Sequence, residues 1–82
     1  MANRFWVGGT GTWNGSSTAN WSATSGGASG ASAPTTSDAV TFDSASGTGT
    51  CTTAAGATAA SVTINSSTVA VTLGANMTVL GA

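Results

Sequence analysis

The sequence predicts an all-β fold: a small β-sandwich or meander, or the entry to a β-solenoid, with no helix of note. Three observations carry this expectation. Apolar and small polar residues alternate in short runs, as in Ser61-Val62-Thr63-Ile64-Asn65, which is the period of a strand with one face buried. Clusters of Gly, Ser and Asn separate the runs, and these are the residues of tight turns. No stretch carries an apolar stripe at helical spacing.

Taken in order, Asn3 to Val7 leans apolar and reads as a first strand. Gly8-Gly9-Thr10-Gly11 breaks it, because glycine permits the positive φ of a sharp corner. Thr12-Trp13 runs into Asn14-Gly15, the residue pair of a type I′ hairpin turn. That turn would bring Trp13 opposite Trp21, across a hairpin or from adjacent strands. Thr24 to Thr36 has the composition of a loop, with the sole proline, Pro34, marking its end.

Val40 and Phe42 then alternate with Thr41 in a second clear strand, 37–43. Ser44 to Gly49 is turn-rich, and Thr50 to Thr53 is weakly strand-like through its β-branched threonines. Ala54 to Ala60 contains Gly56 and Thr58 and lacks an apolar stripe, so it reads as a loop. From Ser61 the alternation is regular. Val62 and Ile64 precede a Ser66-Ser67 turn; Val69, Val71 and Leu73 precede Gly74-Ala75-Asn76; Met77 and Val79 close the series. The last strand would leave an apolar edge, so a partner, or chain beyond Ala82, is expected to cover it. Two units follow from the change in texture: a Trp/Gly-rich module, 1–43, and short-strand repeats, 44–82.

Ala, Gly, Ser and Thr fill 56 of the 82 positions. Large side chains are therefore scarce, and the first half can build a core only from Phe5, Trp6, Trp13, Trp21, Val40 and Phe42. The charged residues are Arg4, Asp38 and Asp43. One arginine cannot neutralise a phosphate path, so nucleic acid is not an expected partner. No apolar run is long enough to span a membrane as a helix. With so thin a core, a homo-oligomer is expected.

The chemistry of a reaction is scarce as well. Serines abound, but His, Lys and Glu are absent, so no serine has a base to activate it. No catalytic residue, cofactor or metal is expected. Asp38 and Asp43 flank one strand at positions of opposite parity and read as turn caps rather than as a converging pair. Cys51 stands alone, which leaves no intrachain disulfide. The glycine run 8–11 lacks the lysine and the following helix of a phosphate loop. Trp6, Trp13 and Trp21 are core candidates first, and a sugar-stacking platform second. Arg4 would lie over a tryptophan face, pair with Asp38 or Asp43, or stand exposed with no role.

The opening Met1-Ala2-Asn3-Arg4-Phe5-Trp6-Val7-Gly8-Gly9-Thr10-Gly11-Thr12-Trp13 resembles the start of a loose group of tailed-bacteriophage virion proteins. The resemblance continues through Asn14 to Trp21-Ser22, the Ser/Gly/Ala loop ending at Pro34, and Asp38-Ala39-Val40-Thr41-Phe42-Asp43. The second half is similar to β-solenoid repeats, which also occur in autotransporter adhesins. The resemblance implies a tail fibre, head fibre or capsid decoration protein located in the virion. It implies other capsid or tail proteins as partners, and a trimer for a fibre or decoration protein. Structural or interface roles then fall to Arg4, Phe5, Trp6, Trp13, Trp21 and Phe42. The alternative is an adhesin or carbohydrate-binding module that contacts a host-surface glycan through its tryptophans.

Overall fold

A computed structural model describes residues 2–74, 78 and 79. It is all-β. Among the described residues nine strands run in chain order: β1 (Asn3–Trp6), β2 (Gly11–Trp13), β3 (Trp21–Ser22), β4 (Ala39–Asp43), β5 (Thr48–Thr53), β6 (Thr58–Ala59), β7 (Ser61–Asn65), β8 (Thr68–Leu73) and β9 (Thr78–Val79). A single 3-10 turn, Ser44–Ser46, joins β4 to β5. The expected strand at 77–80 is described only at Thr78 and Val79. The rest of it, and most of the turn before it, lies outside the described residues.

The pairing is mainly parallel, which fits the β-solenoid among the expected arrangements rather than the meander or sandwich. β1, β4 and β7 lie side by side in parallel, as do β2, β5 and β8, and as do β6 and β9. The chain therefore visits three sheets in turn and begins again one rung further on. This is a three-sided β-solenoid. Between the second and third turns the register advances by 20 residues (Thr48 onto Thr68, Thr58 onto Thr78) or 22 (Ala39 onto Ser61). The first turn is longer, because Asn3 lies beside Ala39 and Gly11 beside Cys51. The two units expected from the sequence share their sheets, since β2 pairs with β5 and β4 with β7.

The extra length of the first turn forms a lid. Asn14-Gly15 does not make a hairpin. The Asn14 side-chain oxygen accepts from the amides of Ser16 and Ser17, at 2.9 and 2.7 Å, which bends the chain away from β2 as an Asx turn. β2 then keeps its parallel partner β5, and the chain returns along the outer edge of β1. There β3 pairs antiparallel, with Trp21 opposite Trp6 and Ser22 opposite Phe5. Residues 31–34 run past the first turn's third side: Ala31 and Ala33 pack on the core, and the Pro34 carbonyl accepts from the Thr58 hydroxyl at 3.0 Å. Ala54 to Ala60, expected as a loop, contains β6, and Ala57, Ala59 and Ala60 are buried.

Corners stack as the strands do. The Gly9 amide donates to the Ser46 carbonyl at 2.9 Å, which fastens the first corner to the second. Gly9 has φ +73°, and a Cβ there would run into the Thr48 carbonyl. Both the backbone angle and the space require glycine. Gly9→Ala is therefore expected to cost about 2 kcal/mol or more, read as a lower midpoint in urea denaturation.

Candidate functional site

Inward-facing side chains fill the solenoid from one end to the other. At the lidded end, Trp6, Trp13, Trp21 and Phe42 are all fully buried. Trp21 meets both other indoles in T-shaped contacts, with centroids 5.1 Å from Trp6 and 5.2 Å from Trp13. Phe42 lies stacked at 5.6 Å from Trp6 and tilted at 6.1 Å from Trp13. Edge-to-face and offset contacts of this kind suit the ring quadrupoles. Trp13 and Trp21 do meet, but from different sheets across the core. Phe5 is on the opposite parity to Trp6 and is half-buried on the outer face, beside Ser22 and Thr41.

The indole N–H groups are not equivalent. Trp6 Nε1 donates to the Gly9 carbonyl at 2.6 Å, tying the aromatic cluster to the first corner. Among the described residues, Trp13 Nε1 and Trp21 Nε1 have no acceptor. A buried donor without an acceptor costs free energy, so these two indoles are retained for volume and shape.

Arg4 neither stacks on a tryptophan nor pairs with Asp38 or Asp43, contrary to expectation. Its Nε donates to the Ser32 carbonyl at 2.8 Å and its Nη2 to the Ser32 hydroxyl at 2.7 Å, while Nη1 reaches the Asn3 carbonyl at 2.8 Å. The planar guanidinium fork thus pins the lid loop to β1. Asn20 makes a second clasp. Its carbonyl accepts from the Val7 amide at 2.8 Å, and its side-chain amide donates to the Val7 carbonyl at 2.7 Å. Sequence reasoning missed Asn20 and Ser32. The available signal was their position: Asn20 directly precedes Trp21, and Ser32 lies in the only long loop.

The two carboxylates serve separate turns. Asp43 caps the 3-10 turn, accepting from the Ala45 amide at 3.0 Å, and also receives the Ser25 hydroxyl at 2.7 Å. Asp38 is buried and accepts from the Thr35 amide at 2.9 Å and the Thr35 hydroxyl at 3.2 Å. The Thr35 amide is the main reason its carboxyl sits below the usual range. Burial opposes the shift, while the Thr35 hydroxyl, the Ala2 amide and Arg4 add to it. Cys51 is fully buried, and burial pushes its thiol up to about 12. A thiolate, the reactive form, is thereby suppressed.

The far end is different. Ile64, Leu73 and Val79 continue the inward columns of Phe42, Thr53 and Ala59, yet they are 59, 67 and 46 % exposed. Their counterparts one rung back are almost completely buried. Along the outer face of the second sheet, Thr12, Thr52 and Thr72 stand in register, all exposed to solvent. Among the described residues no helix is long and apolar enough to cross a membrane.

No protein-family model, curated protein or solved structure matches this chain.

Two outcomes are expected from this geometry. Trp6→Phe should cost about 1–3 kcal/mol more than Trp21→Phe in chemical denaturation, because only the first strands a buried carbonyl. Stability should also fall at both pH extremes. Asp38 binds its proton less readily in the folded chain than in the unfolded one, so its contribution is present above the ordinary carboxylate range and is lost as pH drops through it. Cys51 behaves oppositely: above its ordinary value of 9.0 the unfolded thiol ionises while the folded one does not until about 12. Melting temperature against pH should lose part of its acid limb in Asp38→Asn and part of its alkaline limb in Cys51→Ala.

Proposed function

We propose that this chain is a non-enzymatic structural component of a bacteriophage virion, the N-terminal attachment part of a fibre or capsid decoration protein. One observation carries the reading. The residues on which the virion-protein resemblance rests, 1–13, 14–22, 25–34 and 38–43, include those that build the sealed end: β1, β2, β3, β4 and their aromatic cluster. A closed end built around a packed aromatic cluster suits a part that attaches to a particle. The absence of His, Lys and Glu, and a lone thiol held protonated by burial, support a structural rather than a catalytic role. On this reading its partners are capsid or tail proteins.

The adhesin alternative loses the residues that suggested it. Stacking on a sugar ring needs an indole face in solvent, and all three tryptophans are at 0 % exposure. Two measurements test the proposal. Antibody raised against the chain should decorate a fixed position on purified particles of the phage that encodes it. A chain made during infection but missing from the particles would contradict the virion role. Tryptophan emission should be blue-shifted and unchanged by added polysaccharide, whereas a glycan-dependent red shift would favour the adhesin.

A further inference from the structure

We propose that Asn14-Gly15 is a self-modifying site, where the turn that opens the lid promotes loss of ammonia from the Asn14 side chain. Three donors converge on one oxygen there. Asn14 Oδ1 accepts from the Ser16 amide at 2.9 Å, the Ser17 amide at 2.7 Å and the Ser16 hydroxyl at 3.3 Å. Backbone N–H groups aimed at one carbonyl oxygen stabilise the oxyanion that forms when that carbonyl is attacked. The attacking group is next in the chain. Gly15 has no side chain to shield its nitrogen, and it is exposed. Among the described residues its amide donates to no acceptor. A free nucleophile is thus held beside a polarised carbonyl.

The step needs no reagent but water. A base in the solvent takes the Gly15 amide proton, the nitrogen lone pair forms a bond to Asn14 Cγ, and the carbonyl electron pair moves onto Oδ1. Collapse of that oxyanion breaks the Cγ–Nδ2 bond. Nδ2 takes a proton from solvent and leaves as ammonia, and a cyclic imide remains. Water then opens the ring. Attack at Cγ gives aspartate in an ordinary chain, whereas attack at the main-chain carbonyl carbon of residue 14 gives the β-linked isomer, whose chain gains a carbon. Either product takes the net charge from −1 to −2.

The two products act differently on the lid. Aspartate keeps an oxygen within reach of the Ser16 and Ser17 amides. The β-linked isomer turns the accepting carbonyl into main chain and lengthens the path between β2 and Gly15. Gly15 lies so close to Gly56 that a Cβ on it would stand 3.0 Å from the Gly56 carbonyl, so the longer path disturbs a packed corner at the start of the lid. Other asparagines lack this combination. Asn20 precedes Trp21, whose amide already donates to the Thr18 carbonyl at 3.4 Å, and its own Nδ2 donates to the Val7 carbonyl at 2.7 Å. Asn65 ends β7 and is followed by Ser66, and among the described residues nothing donates to its side-chain oxygen.

Peptide mapping by mass spectrometry on the whole chain, aged in neutral buffer, should find acid at position 14 accumulating roughly tenfold or more faster than at Asn20 or Asn65. The same chain unfolded in urea at the same pH has the same Asn-Gly pair without the turn. Asn14 should react faster in the folded chain than in the unfolded one. An equal or slower rate in the folded chain would overturn the proposal, because the dipeptide alone would then account for the product. Ion exchange separates the products by their added charge. The β-linked product should unfold at a lower urea concentration than the Asn14→Asp chain, and equal midpoints would contradict the effect on the lid. None of these outcomes depends on the virion reading, which the particle-labelling experiment tests separately.

Discussion

The meeting of Trp21 with Trp6 and Trp13 is the contact on which the rest of the structure depends. A parallel solenoid assembled from alanine, serine, threonine and glycine has almost nothing bulky with which to close an end. Here the first turn carries a detour whose main cargo is one indole. Trp21 arrives on an antiparallel strand, covers the edge of β1, and inserts between the other two tryptophans. Around that plug, smaller residues suffice: Val40, Cys51, Ala57, Ala59 and Val69 complete the core. Stacking then supplies what side-chain bulk does not, since each backbone rung is hydrogen-bonded to the next and each corner rests on the one below it.

Charge is used with similar economy and in the same place. Arg4 is a loop pin, Asp38 and Asp43 are turn caps, and none of the three meets another as an ion pair among the described residues. All three lie in the first two turns. The third turn, from Ser61 to Val79, carries no charged residue. The described part of the molecule is therefore asymmetric, with one end finished and pinned while Ile64, Leu73 and Val79 in the last turn are exposed.

Much of this was legible in the sequence, and the part that was not has a physical reason. Alternation located β4, β7 and β8, because burial on one face leaves a period of two, and scarcity of bulk identified the tryptophans as core. Strand partners were hidden. A period of two says which face is buried and nothing about the neighbour, and both Asn14-Gly15 and Ser66-Ser67 look like hairpin turns when read locally. The repeat was hidden too. Phe42 stacks on Ile64, Cys51 on Val71 and Thr53 on Leu73, and the positions that do repeat, Val40 on Val62 and Thr41, Thr48, Thr52 and Thr58 each on another threonine, are lost among sixteen threonines. The 20-residue spacing is also disturbed where it would first appear, by the lid between β2 and β4. Arg4 misled for a simpler reason. Its only oppositely charged partners were two aspartates, while the acceptors it uses, a serine hydroxyl and two carbonyls, leave no trace in a count of charges.

Strand register decides whether this account is right, and nuclear magnetic resonance can read it directly. The account predicts cross-strand contacts in a parallel pattern between Val40 and Val62 and between Thr52 and Thr72, with Thr12 next to Thr52, and an antiparallel pattern only where Trp6 faces Trp21. Close antiparallel contacts between residues 61–65 and 68–73, the mark of a hairpin about Ser66-Ser67, would contradict it.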